Sequence, residues 1–158
     1  MAQANNGAVI QHVGEAFLTE VDVDEMTRDQ LDIRAIRMIL DKLGRRNLPA
    51  VSASFSEIAD IEVIVMFGDD LRVVPACINL LTGLRQLDLR GCKLNRDDSF
   101  PDTLWQLTGL ERLLLLGNNL TSIPSPIGQL SSLTFLSLGY NNLVSLPDEI
   151  YQLTNLTK

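Results

Sequence analysis

The residue types that carry catalysis are scarce in this chain. His12 is the single histidine, and Cys77 and Cys92 are the two cysteines. General acid–base work, metal ligation or a nucleophilic triad needs several such groups converging, and no Cys or His cluster has ligand spacing. No Gly-Lys-Ser or Gly-Lys-Thr loop offers its amides to a phosphate. Asp22, Asp24 and Glu25 begin like a calcium loop, but no Gly follows at the sixth place and Ile33 stands where the closing Glu is required. Those acids read as a solvated linker. Asn119-Leu120-Thr121 and Asn155-Leu156-Thr157 match the glycosylation pattern, yet both arise from the repeat itself, and with no signal peptide at residues 1–7 they are expected to be silent. The expectation is a protein that is not an enzyme and holds no metal or cofactor.

A different set of residues recurs. Asp69, Cys92, Asn118 and Asn141 stand 23, 26 and 23 residues apart, each closing an apolar triplet. Segments 61–83, 84–109, 110–132 and 133–155 align in columns reading L-x-x-L-x-L-x-x-N/C-x-L, then an apolar-Pro pair, then two more apolar positions. The third unit supplies Leu110, Leu113, Leu115, Asn118, Leu120, Ile123, Pro124, Ile127 and Leu130. The fourth repeats the pattern from Leu133 to Leu153, and residues 156–158 begin a fifth. In the second unit three extra residues fall in a loop at 95–99. One unit cannot stand alone. About seven aliphatic side chains at roughly 2 kcal/mol each fall short of the roughly 1 to 2 kcal/mol per residue needed to order some 23 residues. Stability must come from stacking, which makes the fold a solenoid.

Each L-x-x-L-x-L segment is predicted to form a short parallel strand with its leucines inward. The ladder of Asp69, Cys92, Asn118 and Asn141 then stacks turn over turn. A carboxamide donates and accepts at once, so Asn118 and Asn141 can satisfy turn amides that bending leaves unpaired. Cys92 reads as a small buried thiol in the same place. The outward strand positions face solvent, and several are apolar or aromatic. Val65, Phe67, Asp88, Arg90, Arg112, Leu114, Leu116, Phe135 and Tyr140 together make an apolar patch with a charged rim, the composition of a protein-binding surface. The competing reading covers part of this patch with the N-terminal segment. Trp105 and Tyr151 share a column on the opposite side, where packing against the neighbouring turn is expected.

These columns resemble the leucine-rich repeat of the intracellular type with 23-residue units, and the pairs Val74-Pro75, Phe100-Pro101, Ile123-Pro124 and Leu146-Pro147 narrow the resemblance to Ras-suppressor-like proteins and their plant intracellular relatives. It covers residues 61–158. The resemblance implies an α/β fold, a leucine-rich-repeat solenoid with short parallel strands on its concave face and an N-terminal helical cap. It also implies a cytoplasmic protein-interaction module, a scaffold in signalling. The alternative is the regulatory or substrate-recognition segment of a larger signalling enzyme, since such repeats are joined to GTPase, kinase, phosphatase or ubiquitin-ligase domains.

Upstream, residues 1–26 form an acidic N-terminal segment, flexible or partly helical, in which the apolar residues from Val9 to Val23 suggest a short helix followed by an extended piece. Residues 27–60 should hold a capping helix and a degenerate half-repeat. Thr27 and Gln30 have capping-box spacing, Met26 and Leu31 that of a hydrophobic staple, and the helix runs from about Arg28 to Leu43. Its broad apolar face suits the open end of the solenoid.

The net charge is −7, and the stretch from Glu15 to Asp32 holds seven acids against Arg28, leaving the remainder nearly balanced. No basic stripe is available to displace counterions from a nucleic acid. No apolar run approaches the roughly 20 residues of a membrane span, so membrane insertion is not expected. Two cysteines without terminal cysteine clusters suit a reducing compartment. The partner expected is another protein. Self-association through an uncapped C-terminal end, closed by a two-fold axis, is a further expectation.

Overall fold

Leucines spaced L-x-x-L-x-L place one side chain of each unit at the centre of a strand and two at its flanks, so stacked units share one apolar layer. A computed structural model describes the backbone of residues 9–10 and, with side chains, residues 61–68, 70–95 and 99–157. The strands are β1 (Val9–Ile10), β2 (Val63–Val65), β3 (Gln86–Asp88), β4 (Arg112–Leu114) and β5 (Phe135–Ser137). They form one parallel sheet in chain order. Ile64 lies beside Leu87, Leu87 beside Leu113, and Leu113 beside Leu136, the register that the columns predict. Ile64, Leu87 and Leu113 are at most 1% exposed.

The return side of each coil is a 3-10 helix: Ala76–Leu80, Asp102–Gln106, Ser125–Gln129 and Asp148–Gln152. The apolar-Pro pair explains why it starts where it does. Pro75, Pro101, Pro124 and Pro147 all stand at the N-cap with φ between −64° and −72° and extended ψ. The ring fixes φ there, and each proline carbonyl accepts the amide three residues on, at 3.0–3.1 Å. A helix with three residues per turn eclipses positions i and i+3. That is the spacing of Ile78 and Leu81, Leu104 and Leu107, Ile127 and Leu130, and Ile150 and Leu153, and seven of these eight side chains are at most 4% exposed, Ile150 being the exception. Gly128 sits where adjacent coils touch, because a Cβ there would lie 2.8 Å from the Glu149 carbonyl.

Trp105 is 1% exposed and tilts against Phe100 with ring centroids 5.8 Å apart, whereas Tyr151 in the same column is 84% exposed. The third coil covers the tryptophan, and among the described residues nothing covers the tyrosine. The same asymmetry shapes the last coil. Leu138, Leu143 and Ile150 are only partly buried and Val144 and Leu146 are exposed, although Leu153, which the columns place at the same open end, is buried.

Val9 and Ile10 depart from the short helix expected to start at Val9. Their backbone pairs in parallel with β2, Val9 beside Val63 and Ile10 beside Ile64. Two β-branched residues favour extended backbone, and β2 would otherwise present a bare row of amides and carbonyls. The helix expected at 28–43, the half-repeat at 48–60, the acidic stretch 15–32, Asp69, and Arg96, Asp97 and Asp98 of the inserted loop lie outside the described residues.

Candidate partner-binding face

The inner ladder holds the sheet in place. Asn118 is 1% exposed. Its Nδ2 donates to the carbonyls of Leu89 (2.7 Å) and Leu115 (2.9 Å), and its Oδ1 accepts from the Leu94 amide (3.3 Å). Asn141, half-buried, repeats the arrangement one coil later. It donates to Leu115 and Leu138, both at 2.9 Å, and accepts from the amides of Asn118 (3.0 Å) and Leu120 (2.9 Å). The Asn of each coil therefore closes the loop of the coil before it. Cys92 is fully buried in the same column, and its thiol donates to the Met66 carbonyl. A second ladder escaped the sequence reading: the Thr134 hydroxyl donates to the Glu111 carbonyl and the Thr157 hydroxyl to the Thr134 carbonyl. The signal was a threonine in the same column of successive units.

On the outer side of the strands the anticipated patch is partly assembled. Phe67 is 62% exposed, Val65, Leu114, Leu116 and Phe135 are half-buried, and Arg112 is exposed. Two arginines lie over aromatic rings, Arg90 over Phe67 at 5.3 Å and Arg112 over Phe135 at 4.4 Å from the ring centroids. Such contacts are worth about 0.5–1 kcal/mol at exposed sites.

Two expected rim residues are placed differently. Asp88 is not an exposed charge: it is 2% exposed, and the Arg90 guanidinium folds onto it with Nε 2.8 Å from Oδ1 and Nη2 2.5 Å from Oδ2. The Arg90 amide adds a third donor at 3.2 Å. A carboxylate in this position can be buried only when so paired. Hydrogen bonding to Asp88 also raises the Arg90 pKa above its ordinary value, against the smaller opposing effect of desolvation. Tyr140 is not in series with Leu116. The strand position after Leu138 belongs to Gly139, and Tyr140 takes the turn position held elsewhere by Gly68, Gly91 and Gly117. These glycines have φ of 68–77° and Tyr140 has 53°, a left-handed backbone that an L side chain adopts at a cost. Its ring is 85% exposed beside the strand end.

Around the face, charges pair off. Arg85 lies 3.7 Å from Glu111, and Arg72 and Lys93 approach Asp70 at 2.7 and 3.6 Å. The Arg72 hydrogen bond is the main cause holding the Asp70 carboxyl below its usual pKa, with desolvation opposing it. Among the described residues no group of three or more His, Cys, Asp or Glu side chains could hold a metal ion. No described helix is long and apolar enough to cross a membrane.

Comparison with known proteins matches this geometry. The family sequence model described as Leucine Rich Repeat matches residues 83–107 and 132–153. A leucine-rich-repeat protein of Leptospira interrogans superimposes with a TM-score of 0.58 at 35% identity, covering 65% of this chain and 25% of that one. The coils are leucine-rich repeats. Repeats of this kind serve generally as protein-interaction modules. The Arabidopsis receptor kinase HAESA, solved in complex with the peptide hormone IDA and the co-receptor SERK1, matches at 26% identity and a TM-score of 0.50, over 70% of this chain and 18% of that one. Internalin C2 of Listeria monocytogenes matches at 25% identity and a TM-score of 0.48, over 62% of this chain and 40% of that one. This chain thus spans a quarter of the length of the Leptospira repeat protein and less than a fifth of HAESA.

Proposed function

We propose that the chain is a non-catalytic interaction module that binds a partner protein through the concave strand face of its leucine-rich repeats, as a cytoplasmic scaffold in signalling. The observation carrying this reading is the patch of Phe67, Leu114, Leu116 and Phe135, which leaves apolar surface on the sheet with two arginines over its rings. Aromatic residues and arginine are enriched in interface cores, and preordering them reduces the entropy lost on binding. HAESA, crystallised with a peptide hormone and a co-receptor, is a distant precedent for a repeat array that takes protein ligands. The cytoplasmic assignment rests on cysteine usage in the sequence.

A second reading draws on HAESA, a receptor kinase: this chain is the regulatory or substrate-recognition segment of a larger signalling enzyme, and the same face does the recognising.

Affinity capture with mass spectrometry identifies the partner, and paired variants locate its site. Leu114→Ser together with Leu116→Ser should abolish capture while leaving secondary structure intact, because a few central residues dominate an interface. Tyr151→Ala, on the opposite side, should leave capture unchanged. Equal capture by both variants would place the binding surface elsewhere.

A further inference from the structure

We infer that Arg112 is a preset receptor for a side-chain carboxylate, so that the partner presented to the concave face is an extended acidic peptide segment with an apolar residue two or four positions from its acid. This rests on the concave-face reading above and adds the chemistry of the occupant.

The argument begins with charge. Arg72, Arg85, Arg90 and Lys93 lie within 2.7, 3.7, 2.5 and 3.6 Å of Asp70, Glu111, Asp88 and Asp70 respectively. Among the described residues Arg112 alone of the cations has no carboxylate partner, although Glu111 is its neighbour in sequence. Glu111 is engaged by Arg85 instead, and lies just before β4 begins. The Arg112 guanidinium rests on Phe135, its register partner on β5, at 4.4 Å from the ring centroid. The ring takes up one side of the group, and among the described residues no carboxylate pairs with its edge, where the five N–H donors lie. That edge matches a carboxylate bidentately, and the stack has already removed much of the rotamer freedom that binding would cost. Arg90 makes the contrast: it also lies over a ring, but Asp88 has filled its donor edge.

The apolar half of the site follows from the same register. Leu114 shares a face with Arg112 two residues along β4, at a spacing of about 6.6 Å, and Leu116 continues the line. Beside them on the next coil stand Ser137, opposite Leu114, and Gly139. A Cβ built on Gly139 would lie 3.8 Å from Leu116 Cδ1, ordinary contact, so the small residues leave a shallow seat against the two leucines. A segment extended along β4 presents side chains i and i+2 to one face at the same spacing. Its acid meets Arg112 when an apolar residue two or four positions away meets Leu114 or Leu116.

The test uses the full 158-residue chain and immobilised nonapeptides on a Ser/Ala background. One array carries a single Glu with Leu two, three or four residues away, and a second replaces Glu by Gln. A third has Gln and a free terminal carboxylate, the other arrays being amidated. Binding should favour Glu over Gln roughly 10- to 100-fold, as loss of a charge-assisted hydrogen-bonded pair implies, with the two- and four-residue spacings ahead of three. Arg112→Gln should erase the Glu preference while the dependence on Leu remains. Arg112→Lys, which keeps the charge but loses the flat fork, should retain only part of it. Equal binding of Glu and Gln peptides, a Glu preference that survives in Arg112→Gln, preferential capture of the free-terminus array, or no binding by any array would overturn the inference. The concave-face reading fails separately, when peptide or partner binding is indifferent to Leu114→Ser and Leu116→Ser.

Discussion

Truncating Asn118 to Ala should cost more than any other single loss of a polar group on the ladder, and the structure sets the size. Three hydrogen bonds disappear, but they are not equivalent. The Leu115 carbonyl keeps a donor in Asn141 Nδ2 at 2.9 Å, whereas the Leu94 amide and the Leu89 carbonyl lose the partners that Asn118 gave them. Leu89 and Leu94 are both fully buried, so water cannot reach these groups without opening the coil. A buried group left unpaired costs about 1–3 kcal/mol, which gives about 4 kcal/mol for the two. An array of this size has roughly 5–15 kcal/mol of stability, and each kcal/mol corresponds to about 4–8 °C in Tm. Asn118→Ala should therefore melt about 15–30 °C lower, with a matching fall in the urea midpoint read by circular dichroism and an unchanged m-value. Asn155→Ala is the control. Its amide donates to the Ser131 carbonyl at 2.9 Å in an exposed setting, and its loss should cost less than about 0.5 kcal/mol. If Asn118→Ala falls within 1 kcal/mol of the parent, or no lower than Asn155→Ala, the ladder does not hold the coils as argued.

Two further outcomes follow from the last coil. Tyr140→Gly should raise the urea midpoint by the equivalent of about 0.5–1 kcal/mol, since it relieves a left-handed backbone at φ 53° and removes a ring that is 85% exposed; a lower midpoint would mean that the ring contributes packing. The exposed Val144 and Leu146 beside partly buried Leu138 and Leu143 should drive the 158-residue chain to self-associate in sedimentation at rising concentration, with Val144→Lys and Leu146→Glu together restoring the monomer; a parent that stays monomeric into the high-micromolar range would show that this face tolerates water.

Much of the fold was legible because stacking makes one period speak for every level of structure. The positions of Leu87, Leu113 and Leu136 set the register, whereas the apolar-Pro pair with Ile127 and Leu130 three residues apart was read only as columns, and the 3-10 helix that it starts came with the structure. Asp88 was legible only as an outward strand position. That Arg90 would fold back and bury it depends on a side-chain conformation, which spacing does not determine. Tyr140 was readable in principle: it precedes Asn141 as Gly117 precedes Asn118, but an aromatic residue in a glycine column disguised the turn as strand. The stacking of Arg112 on Phe135 could be seen only once the two coils were set side by side.

The Asn ladder also gives the array a sense of direction. Asn141 guards the amides of Asn118 and Leu120, yet among the described residues nothing performs that service for the amides of Asn141 and Leu143. Opening should therefore run like a zipper with one slider, from the last coil backwards, because each coil that lifts away unlatches its predecessor. Amide hydrogen exchange would then be graded along the chain, fastest around Leu143 and slowest in the middle coils. A partner gripping β4 and β5 together would clamp the slider, and would slow exchange in coils that it does not touch.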